Sequence, residues 1–362
     1  MAEATPASPL SLKPDFHEAA ARWEAFWAGE MLDRPPVIIT CPEPGAEPGK
    51  RPTYWTMLND PIEEVVAGLD TYMHAIHWGG DAMPLFSPGF GPDIFASFLG
   101  AEIAYMPDFE HRTSWAVTFV EDWREVLPLR IHEESRYWTH LRALMQRMAE
   151  VGAGKWLVAH LDLHSNMDAL EAIRGASRFC VDLYDYPDLV AEANDQVRAL
   201  YAPIYDTLYL DGGMDRVGTG GWIPAFHAGR TNTIQCDFAA LVGPEHFRRY
   251  ILPDLEAEST HLEHCVYHWD GPSSLVHMDD LMAIRGIDCF QWVPGAGNPP
   301  LVEWLDLLEA VQQRGKSVMV YCSVEEVPAF HQRLRPDRMF YSISAANREQ
   351  LERTVEWITE NS

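Results

Sequence analysis

The alternation of short apolar runs with amphipathic stretches in the last third of the chain restricts its fold most. Four strand-like runs occupy residues 264–270, 286–294, 316–323 and 338–344. Helical patterns such as 301–315 separate them, and 346–358 closes the chain. Parallel strands need crossovers of this kind, so the pattern predicts a parallel sheet covered by helices. A closed barrel and an open doubly wound sheet both fit it.

The absence of glycine-rich phosphate motifs decides between these two architectures. No GxGxxG or GxxxxGK[ST] follows a strand-like run, which counts against a dinucleotide or P-loop fold. The sequence therefore predicts an α/β fold, a TIM-type (β/α)8 barrel with an N-terminal helical extension. Residues 1–34 are interpreted as a loose end followed by an aromatic, amphipathic helix at 16–30, and residues 35–362 as one barrel domain.

Charge and cysteine usage limit the partners. Lys and Arg number 27 against 54 Asp and Glu, a net charge of −27, which would repel nucleic acid and anionic membranes. Six scattered cysteines without a CxxC pair are typical of a reducing compartment. With no targeting or membrane-spanning segment in the sequence, we expect a cytoplasmic protein that acts on a small molecule.

Polar residues at the ends of apolar runs are the candidate site, because the carboxyl ends of parallel strands form the functional rim of such folds. In the segment 267–272, His268 and Asp270 point to the same side of a strand, next to Tyr267. This spacing suits two ligands of one metal or an acid–base pair. It also suits a strand-end histidine that hydrogen-bonds to a turn.

Two further strand ends carry candidates. Gln291 and Trp292 precede a Gly/Pro loop and could bind a planar or polar substrate, although ordinary core packing fits them equally. Cys322 ends a strong apolar run, and as a thiolate it could join His268 and Asp270 in binding zinc. An inert buried thiol is the alternative for Cys322.

The segment 160–166 contains an HxDxH pattern whose polar side chains would share one face of a strand. His160 and His164 would then lie roughly 13 Å apart, too far for a single tetrahedral metal ion. Ligand contact from His164 and Asn166, at the end of the run, remains reasonable. Asp237 is a further candidate, because an acid inside an apolar run has a raised pKa unless it is paired.

The ordered segments of the second half resemble the uroporphyrinogen decarboxylase superfamily, in its branch of decarboxylase-like proteins and corrinoid-system methyltransferases. They are residues 243–255, 267–272, 286–297, 320–327 and 342–358, with 21–37 and 163–175 further upstream. The resemblance runs from about residue 16 to the end. It implies a TIM-type barrel with an active cleft at the carboxyl ends of its strands.

The sequence departs from two patterns of that superfamily. The stretch 51–61, comparable to the arginine-rich motif that binds porphyrinogen carboxylates, contains one arginine, Arg51. The zinc methyltransferases use an H-x-C pair and a cysteine at the final strand, where this chain has His268-Trp269-Asp270 and the run 341–344, Tyr-Ser-Ile-Ser. The resemblance thus implies a methyltransferase-like enzyme rather than a true porphyrinogen decarboxylase.

In this hypothesis a methyl group moves between a methylated small substrate or a methylcorrinoid and a thiol or pterin acceptor. One version binds zinc through His268, Asp270 and Cys322. The other is metal-free: Asp237, His268, Asp270 and Gln291 position the acceptor and transfer a proton, while Trp292 stacks on it. Because the chain has no corrinoid-binding module, a corrinoid (cobalamin) would come from a partner protein or as a free cofactor.

Two other functions are kept open. One is a lyase or decarboxylase for a small organic acid or sugar-derived substrate, with His268 and Asp270 as acid and base. Basic side chains at the cleft would favour it, and the candidates are Arg174, Arg216, Arg230 and Arg285. The other is a non-catalytic ligand-binding barrel. A homodimer is expected if the aromatic N-terminal helix exposes an apolar surface.

Overall fold

The computed structural model of the chain describes residues 8–47, 49–105 and 113–362. Its helices are α1 (Phe16–Trp27), α2 (Tyr54–Asn59), α3 (Ile62–His74), α4 (Ile94–Phe98), α5 (Trp123–Val126), α6 (Arg136–Gly152), α7 (Asn166–Arg174), α8 (Ala176–Asp185), α9 (Pro187–Asp211), α10 (Pro244–His246), α11 (Leu252–His261), α12 (Met278–Ala283), α13 (Leu305–Gln313), α14 (Val327–Arg333) and α15 (Arg348–Asn361). Its strands are β1 (Val37–Pro42), β2 (Ile76–Gly80), β3 (Leu85–Phe86), β4 (Glu102–Tyr105), β5 (Ser114–Val117), β6 (Leu157–Val158), β7 (Thr231–Gln235), β8 (His264–Asp270), β9 (Cys289–Val293), β10 (Ser317–Cys322) and β11 (Met339–Ser344).

Seven strands of the described residues form the central sheet, in the order β2-β1-β11-β10-β9-β8-β7. All neighbours in it are parallel except β1 and β2. Strands β3 and β6 form a parallel pair, and β4 and β5 an antiparallel one. The prediction of an α/β fold with a largely parallel sheet is confirmed. Closure of the sheet into a barrel and the boundary between an N-terminal extension and the barrel domain at residue 34 stay predictions.

The four strand-like runs of the last third correspond to β8–β11, with helices between them as expected. Two further apolar runs, 155–163 and 215–222, also predict strands, and for both the prediction is wrong. The first contains only the two-residue β6, and the second contributes only an isolated bridge between Thr219 and His227. Gly218 has φ +123°, and a Cβ there would lie 2.6 Å from the carbonyl oxygen of His227. The close approach of the two segments therefore depends on glycine.

The strands bury both of their faces, as expected for a parallel sheet. One face, which we call the α1 face, packs against helix α1. It presents Ile38, Val266, Cys289, Met319 and Phe340. The opposite face, the outer face, joins the larger core formed with the other helices. It presents Val37, Ile39, Tyr267, Trp269, Phe290, Trp292, Val318 and Val320.

Helix α6 illustrates how the sequence fixes the outer layer. Its apolar residues recur three and four positions apart and are buried on one side of the helix. They are Tyr137, Trp138, Leu141, Leu144, Met145 and Met148. The hydroxyl of Ser135 accepts a hydrogen bond from the backbone N–H of Trp138, which caps the first turn.

Helix α1 packs under the amino ends of the sheet strands. The Trp23 ring lies 5.2 Å from that of Phe340, and the Trp27 ring stacks on His264, the first residue of β8, at 4.9 Å. The predicted helix is thus present, but its aromatic side chains are buried within the chain. The exposed apolar surface from which we expected a homodimer is therefore not found on this helix.

The segment before α1 is only partly as expected. Leu10 and Lys13 are fully buried, and the Lys13 ammonium group donates hydrogen bonds to the carbonyl oxygens of Trp78 and Gly80. Residues 8–14 are therefore packed against the domain rather than loose. Residues 1–7 of the predicted loose end lie outside the described residues. Within the described ranges, no helix combines the length and apolar character needed to cross a membrane.

Candidate active site

A histidine–glutamine pair joins the ends of two neighbouring strands. His268 of β8 is in register with Gln291 of β9, and both side chains lie on the α1 face near the carboxyl ends of the strands. His268 Nδ1 lies 2.6 Å from Gln291 Oε1. Because an amide oxygen only accepts, His268 donates from Nδ1, and Nε2 is the ring nitrogen that this contact does not use.

A second histidine, His164, lies among carboxylates just before α7. Its Nε2 is 3.3 Å from Asp162 Oδ2, and its Nδ1 is 3.7 Å from Asp168 Oδ2. Nε2 also contacts the side-chain amide of Gln235 at the end of β7. Burial disfavours the charged imidazole, but Asp162, Asp168 and Asp237 outweigh burial and raise the pKa of His164 to about 10. His164 is therefore a cation at neutral pH.

Asp168 connects this histidine to the end of β7. Its carboxylate accepts hydrogen bonds from the backbone N–H groups of Asp237 and Phe238, at 2.9 and 2.8 Å. Burial and the negative charge of Asp237 raise the pKa of Asp168. The same hydrogen bonds fix the turn that carries the exposed Asp237 toward the rim.

Asp270 extends the acidic cluster to the end of β8. Burial raises its pKa, His268 opposes that shift, and Asp237 adds to it. Its Oδ1 is buried and has no hydrogen-bond partner among the described residues. The predicted pair His268 and Asp270 and the two separate candidates His164 and Asp237 thus belong to one electrostatic cluster.

The turn that carries His164 has an unusual backbone. His164 and Asn166 have φ values of +37° and +56°, a region that residues other than glycine rarely adopt. The buried carboxyl group of Glu258 holds this turn, since its Oε1 accepts hydrogen bonds from Ser165 Oγ at 2.6 Å and Asn166 Nδ2 at 3.1 Å. Burial raises the pKa of Glu258 to about 8.

The HxDxH interpretation was wrong in its geometry. Residues 160–164 do not form a strand, so their side chains do not share a face. The ring of His160 is fully buried and stacks on Tyr205 at 4.2 Å, and burial lowers its pKa to about 4. His160 is a structural residue, whereas Asp162 and His164 face each other.

Three predicted substrate contacts do not face the cluster. Tyr267 and Trp292 are each 1% exposed and lie on the outer face, because neighbouring residues of a strand point to opposite sides. Asn166 is fully buried, and its amide donates to the Gln235 carbonyl oxygen and to Glu258. Its role is to hold the turn.

The proposed zinc ligands do not meet. Cys322 alternates with Val318 and Val320 along β10, so its thiol points to the outer face, away from His268 and Asp270. Burial raises the pKa of Cys322 to about 12, which keeps it a thiol rather than a thiolate ligand. In the described parts of the chain, no three His, Cys, Asp or Glu side chains are arranged to hold a metal ion. The set does not fit zinc.

The arginines expected to favour a lyase lie elsewhere. Arg174 pairs with Asp182 at 2.6 Å, and Arg230 with Asp206 at 3.0 Å. Arg216 lies against Gly213, before the Thr219–His227 bridge. Arg285 lines a depression with residues of α1, at the opposite end of the sheet. None of the four converges on the cluster, which is acidic.

Sequence reasoning missed Asp93, Asp168, Trp222, Gln235 and Glu258. Asp93 interacts electrostatically with His164, Asp162 and Asp237, although its carboxylate also accepts a hydrogen bond from Ala116 N. The Trp222 ring lies 5.2 Å from His268 in an edge-on contact. In the sequence, the only local sign of these residues is the pair of polar side chains Gln235 and Asp237 inside the apolar run 234–241. The other missed residues are brought to the site only by the folding of the chain.

A surface depression of about 520 Å³ lies elsewhere, between α14 and α15. Its polar side chains have local partners: Arg353 pairs with Glu349, and Asn347 caps α15 through Gln350 N. It therefore lacks the free acid–base groups found at the strand ends.

The sequence matches no protein-family model and no curated protein. Among solved structures, the fold is similar to that of a methyltransferase from Methanosarcina mazei, with a TM-score of 0.60. The two are 11% identical, over 94% of this chain and 98% of the other. This likeness shows the fold. Membership of the uroporphyrinogen decarboxylase superfamily stays a prediction.

Proposed function

We propose that the protein is a methyltransferase-like enzyme whose methyl transfer is assisted by two histidines rather than by a bound zinc ion. The observation that carries the proposal is the contrast between them. The carboxylates around His164 raise its pKa to about 10, so it can donate a proton, whereas the Gln291 contact occupies Nδ1 of His268 and assigns proton acceptance to Nε2. A proton donor and a proton acceptor at one site are the usual arrangement of a general acid and a general base.

In the proposed step, the methyl carbon loses its bond to a heteroatom of the donor and bonds to the acceptor. His164 gives a proton to the departing heteroatom, and His268 Nε2 takes the proton that a thiol or pterin N–H acceptor loses. Protons therefore balance. Gln291 orients His268, while Asp162 and Asp168 orient His164 and favour its charged form. If the second reactant is a corrinoid, it enters as a substrate carried by a partner or free in solution.

The fold supports this proposal in a general way, since a solved structure with a similar fold is named a methyltransferase. The lyase alternative lacks support, because the basic side chains that would bind an organic acid point elsewhere. A non-catalytic barrel remains separable by experiment, since it would bind a ligand without turnover.

We also propose that the sheet closes into a (β/α)8 barrel made of β1, β3, β6 and β7–β11. Asp81 N donates to Val37 O at 2.7 Å, which continues the β1–β2 pairing to a point just before β3. On the other side, the Asn232 side chain of β7 donates to Leu161 O at 3.2 Å, just after β6, and His160 N donates to Gly220 O at 2.7 Å. Slow hydrogen exchange at the His160 amide would support closure between β6 and β7, and exchange at the rate of an exposed loop would contradict it.

The test of the function uses the full chain and donors that carry a CD₃ group. Mass spectrometry measures transfer of the label to a thiol, to a pterin and to reduced cobalamin. We expect transfer that falls by about 10²–10⁴-fold in His164→Gln and in His268→Asn, the range of general acid–base catalysis. Tyr267→Phe is the matched control, because Tyr267 is next to His268 but on the outer face. Equal rates in all variants, or no transfer from any donor, would contradict the proposal.

A further inference from the structure

The hydrogen-bonding atoms of the candidate site are mostly acceptors. Buried atoms without a hydrogen-bond partner among the described residues include the acceptors Asp162 Oδ1 and Asp270 Oδ1 and the donor Trp222 Nε1. Gln235 is 4% exposed, and because His164 is a cation that donates from both ring nitrogens, the amide oxygen of Gln235 is the atom that pairs with it. A buried acceptor without a donor is costly, so these atoms point to a ligand or water that supplies several O–H or N–H groups.

The charges around these atoms decide what kind of donor fits. Asp237 and Asp270 form no salt bridge within the described residues, and Asp162 and Asp168 share only His164. Among the described residues, no lysine or arginine forms an ion pair with Asp162, Asp168, Asp237 or Asp270. The exposed Arg51 lies 5.7 Å over the Phe86 ring, and both Asp162 and Arg51 interact electrostatically with Tyr54. An anionic substrate is therefore disfavoured.

A permanent cation is also a poor fit. His164 is itself positively charged and occupies the space between Asp162 and Asp168. A quaternary ammonium group has no N–H and would leave Asp162 Oδ1 and Asp270 Oδ1 without a hydrogen-bond donor. After losing its methyl group, a quaternary ammonium donor leaves as a neutral tertiary amine. That leaving group needs no proton, so His164 would not be needed as a general acid.

We propose that the methyl donor is an uncharged polyhydroxylated methyl ether, that is, an O-methylated sugar or cyclitol. Its hydroxyl groups donate to Asp162 and Asp270 and can accept from the indole N–H of Trp222, whose ring lies beside His268. The ether oxygen is the departing atom: its bond to the methyl carbon breaks, it takes the proton of His164, and it leaves as a hydroxyl group. This proposal rests on the proposed function, because it identifies the donor of the same reaction.

The test is a binding panel on the full-length wild-type protein, read by saturation-transfer NMR and calorimetry. The polyhydroxylated probes are 3-O-methyl-D-glucose, methyl α-D-glucopyranoside and D-pinitol. The comparison probes are choline, a cation; methoxyacetate, an anion; and 1,2-dimethoxyethane, a methyl ether without hydroxyl groups. We expect at least one polyhydroxylated probe to bind at least about tenfold more tightly than every comparison probe.

Variants locate the binding. Asp270→Ala removes one unpaired acceptor and should weaken the best probe about tenfold. Tyr267→Phe, on the outer face, should leave the affinity unchanged. Preferential binding of choline or methoxyacetate, no binding of any polyhydroxylated probe, or equal affinities in Asp270→Ala and wild type would overturn the proposal.

The panel also separates the two proposals. If a polyhydroxylated probe binds as expected but its CD₃ ether never transfers label, the proposed methyltransferase function is wrong and the proposed class of ligand is still supported. If label moves from an amine or a carboxylate donor while no sugar binds, the methyltransferase proposal stands and the ligand class fails.

Discussion

At the scale of single residues, His164 shows how neighbours can reverse the effect of burial. Its side chain is only 13% exposed, which alone would keep the imidazole neutral. The acids at positions 162, 168 and 237 raise its pKa to about 10 instead. In an unfolded chain the pKa of a histidine is about 6.5, so folding stability must depend on pH through this residue.

The first prediction concerns this pH dependence. A pKa that is raised in the folded state stabilises it fully below pH 6.5, and that stabilisation is lost as the pH rises toward 10. Relative to His164→Gln, the wild-type free energy of unfolding should therefore fall between these limits, by up to roughly 1.4 kcal/mol per pH unit. Urea unfolding of both proteins at pH 6, 7, 8 and 9 measures the difference. A constant difference would show that His164 is neutral in the fold.

The second prediction concerns Glu258, which holds the strained turn before α7. Because its pKa is raised to about 8, it is a neutral acid at pH 6, and its Oε1 accepts from Ser165 and Asn166. Glu258→Gln keeps an acceptor of the same shape and should change the free energy of unfolding by less than about 1 kcal/mol. Glu258→Leu leaves two buried donors unpaired and should cost about 1–3 kcal/mol per donor.

Urea unfolding at pH 6 compares the two Glu258 variants with wild type. If the Gln variant lost as much stability as the Leu variant, ionised Glu258 would be the stabilising form. The assignment of a neutral acid would then be wrong.

At the scale of elements, the two faces of a strand carry different kinds of side chain. On β8, Val266, His268 and Asp270 alternate with Tyr267 and Trp269, so the α1 face carries the acid–base groups and the outer face carries aromatic packing. The same alternation on β10 sends Cys322 to the outer face. Helix α1 closes the opposite end of the α1 face.

The third prediction tests the packing of α1. Trp23 is fully buried, and its indole N–H donates to Asp81 O at 2.9 Å. Trp23→Ala should destabilise the protein by about 3–5 kcal/mol, through the lost contacts and the cavity that remains. Tyr184→Ala is the control, since this aromatic side chain is 74% exposed and should cost less than about 1 kcal/mol. Similar losses in thermal or urea unfolding would mean that α1 does not stabilise the domain.

The fourth prediction concerns metal content. Because Cys322 points away from His268 and Asp270, we expect wild-type protein equilibrated with zinc and desalted to retain much less than one zinc per chain. Elemental mass spectrometry measures this, with His268→Ala and Cys322→Ala beside it. One zinc per chain that both variants lose would mean that the side chains rearrange into a metal site.

At the scale of the whole molecule, the surplus of acids affects stability and ligand choice. The net charge of −27 includes acids such as Asp237 and Asp270 that form no salt bridge within the described residues. Like charges on a compact chain repel one another, and salt screens exposed charges over about 10 Å at 0.1 M.

The fifth prediction follows from this repulsion. Raising NaCl from 0.05 to 0.5 M at pH 7.5 should increase the urea midpoint, because screening weakens repulsion among acids more than it weakens the exposed ion pairs. KCl at equal ionic strength should act equally, as a non-specific effect requires. A midpoint that falls with salt would show that the ion pairs dominate.

The sequence by itself determined the class of fold and the strand ends that matter. Apolar runs alternating with amphipathic helices identified β8–β11, and the two-residue spacing of His268 and Asp270 placed both on one face, because side-chain alternation is a local property of a strand. The same local rule could not say which face is the functional one, so Tyr267, Trp292 and Cys322 were assigned to the wrong side.

Only the tertiary structure decided how the site is composed. Asp168, Gln235 and Glu258 lie on three different elements. Asp168 and Gln235 meet His164 because a left-handed turn after β6 directs it toward the end of β7, and Glu258 holds that turn through Ser165 and Asn166. Such a turn has no glycine to announce it in the sequence. The protonation state of His164 likewise depends on carboxylates up to 73 positions away along the chain, from His164 to Asp237, which only the packed sheet brings within electrostatic reach.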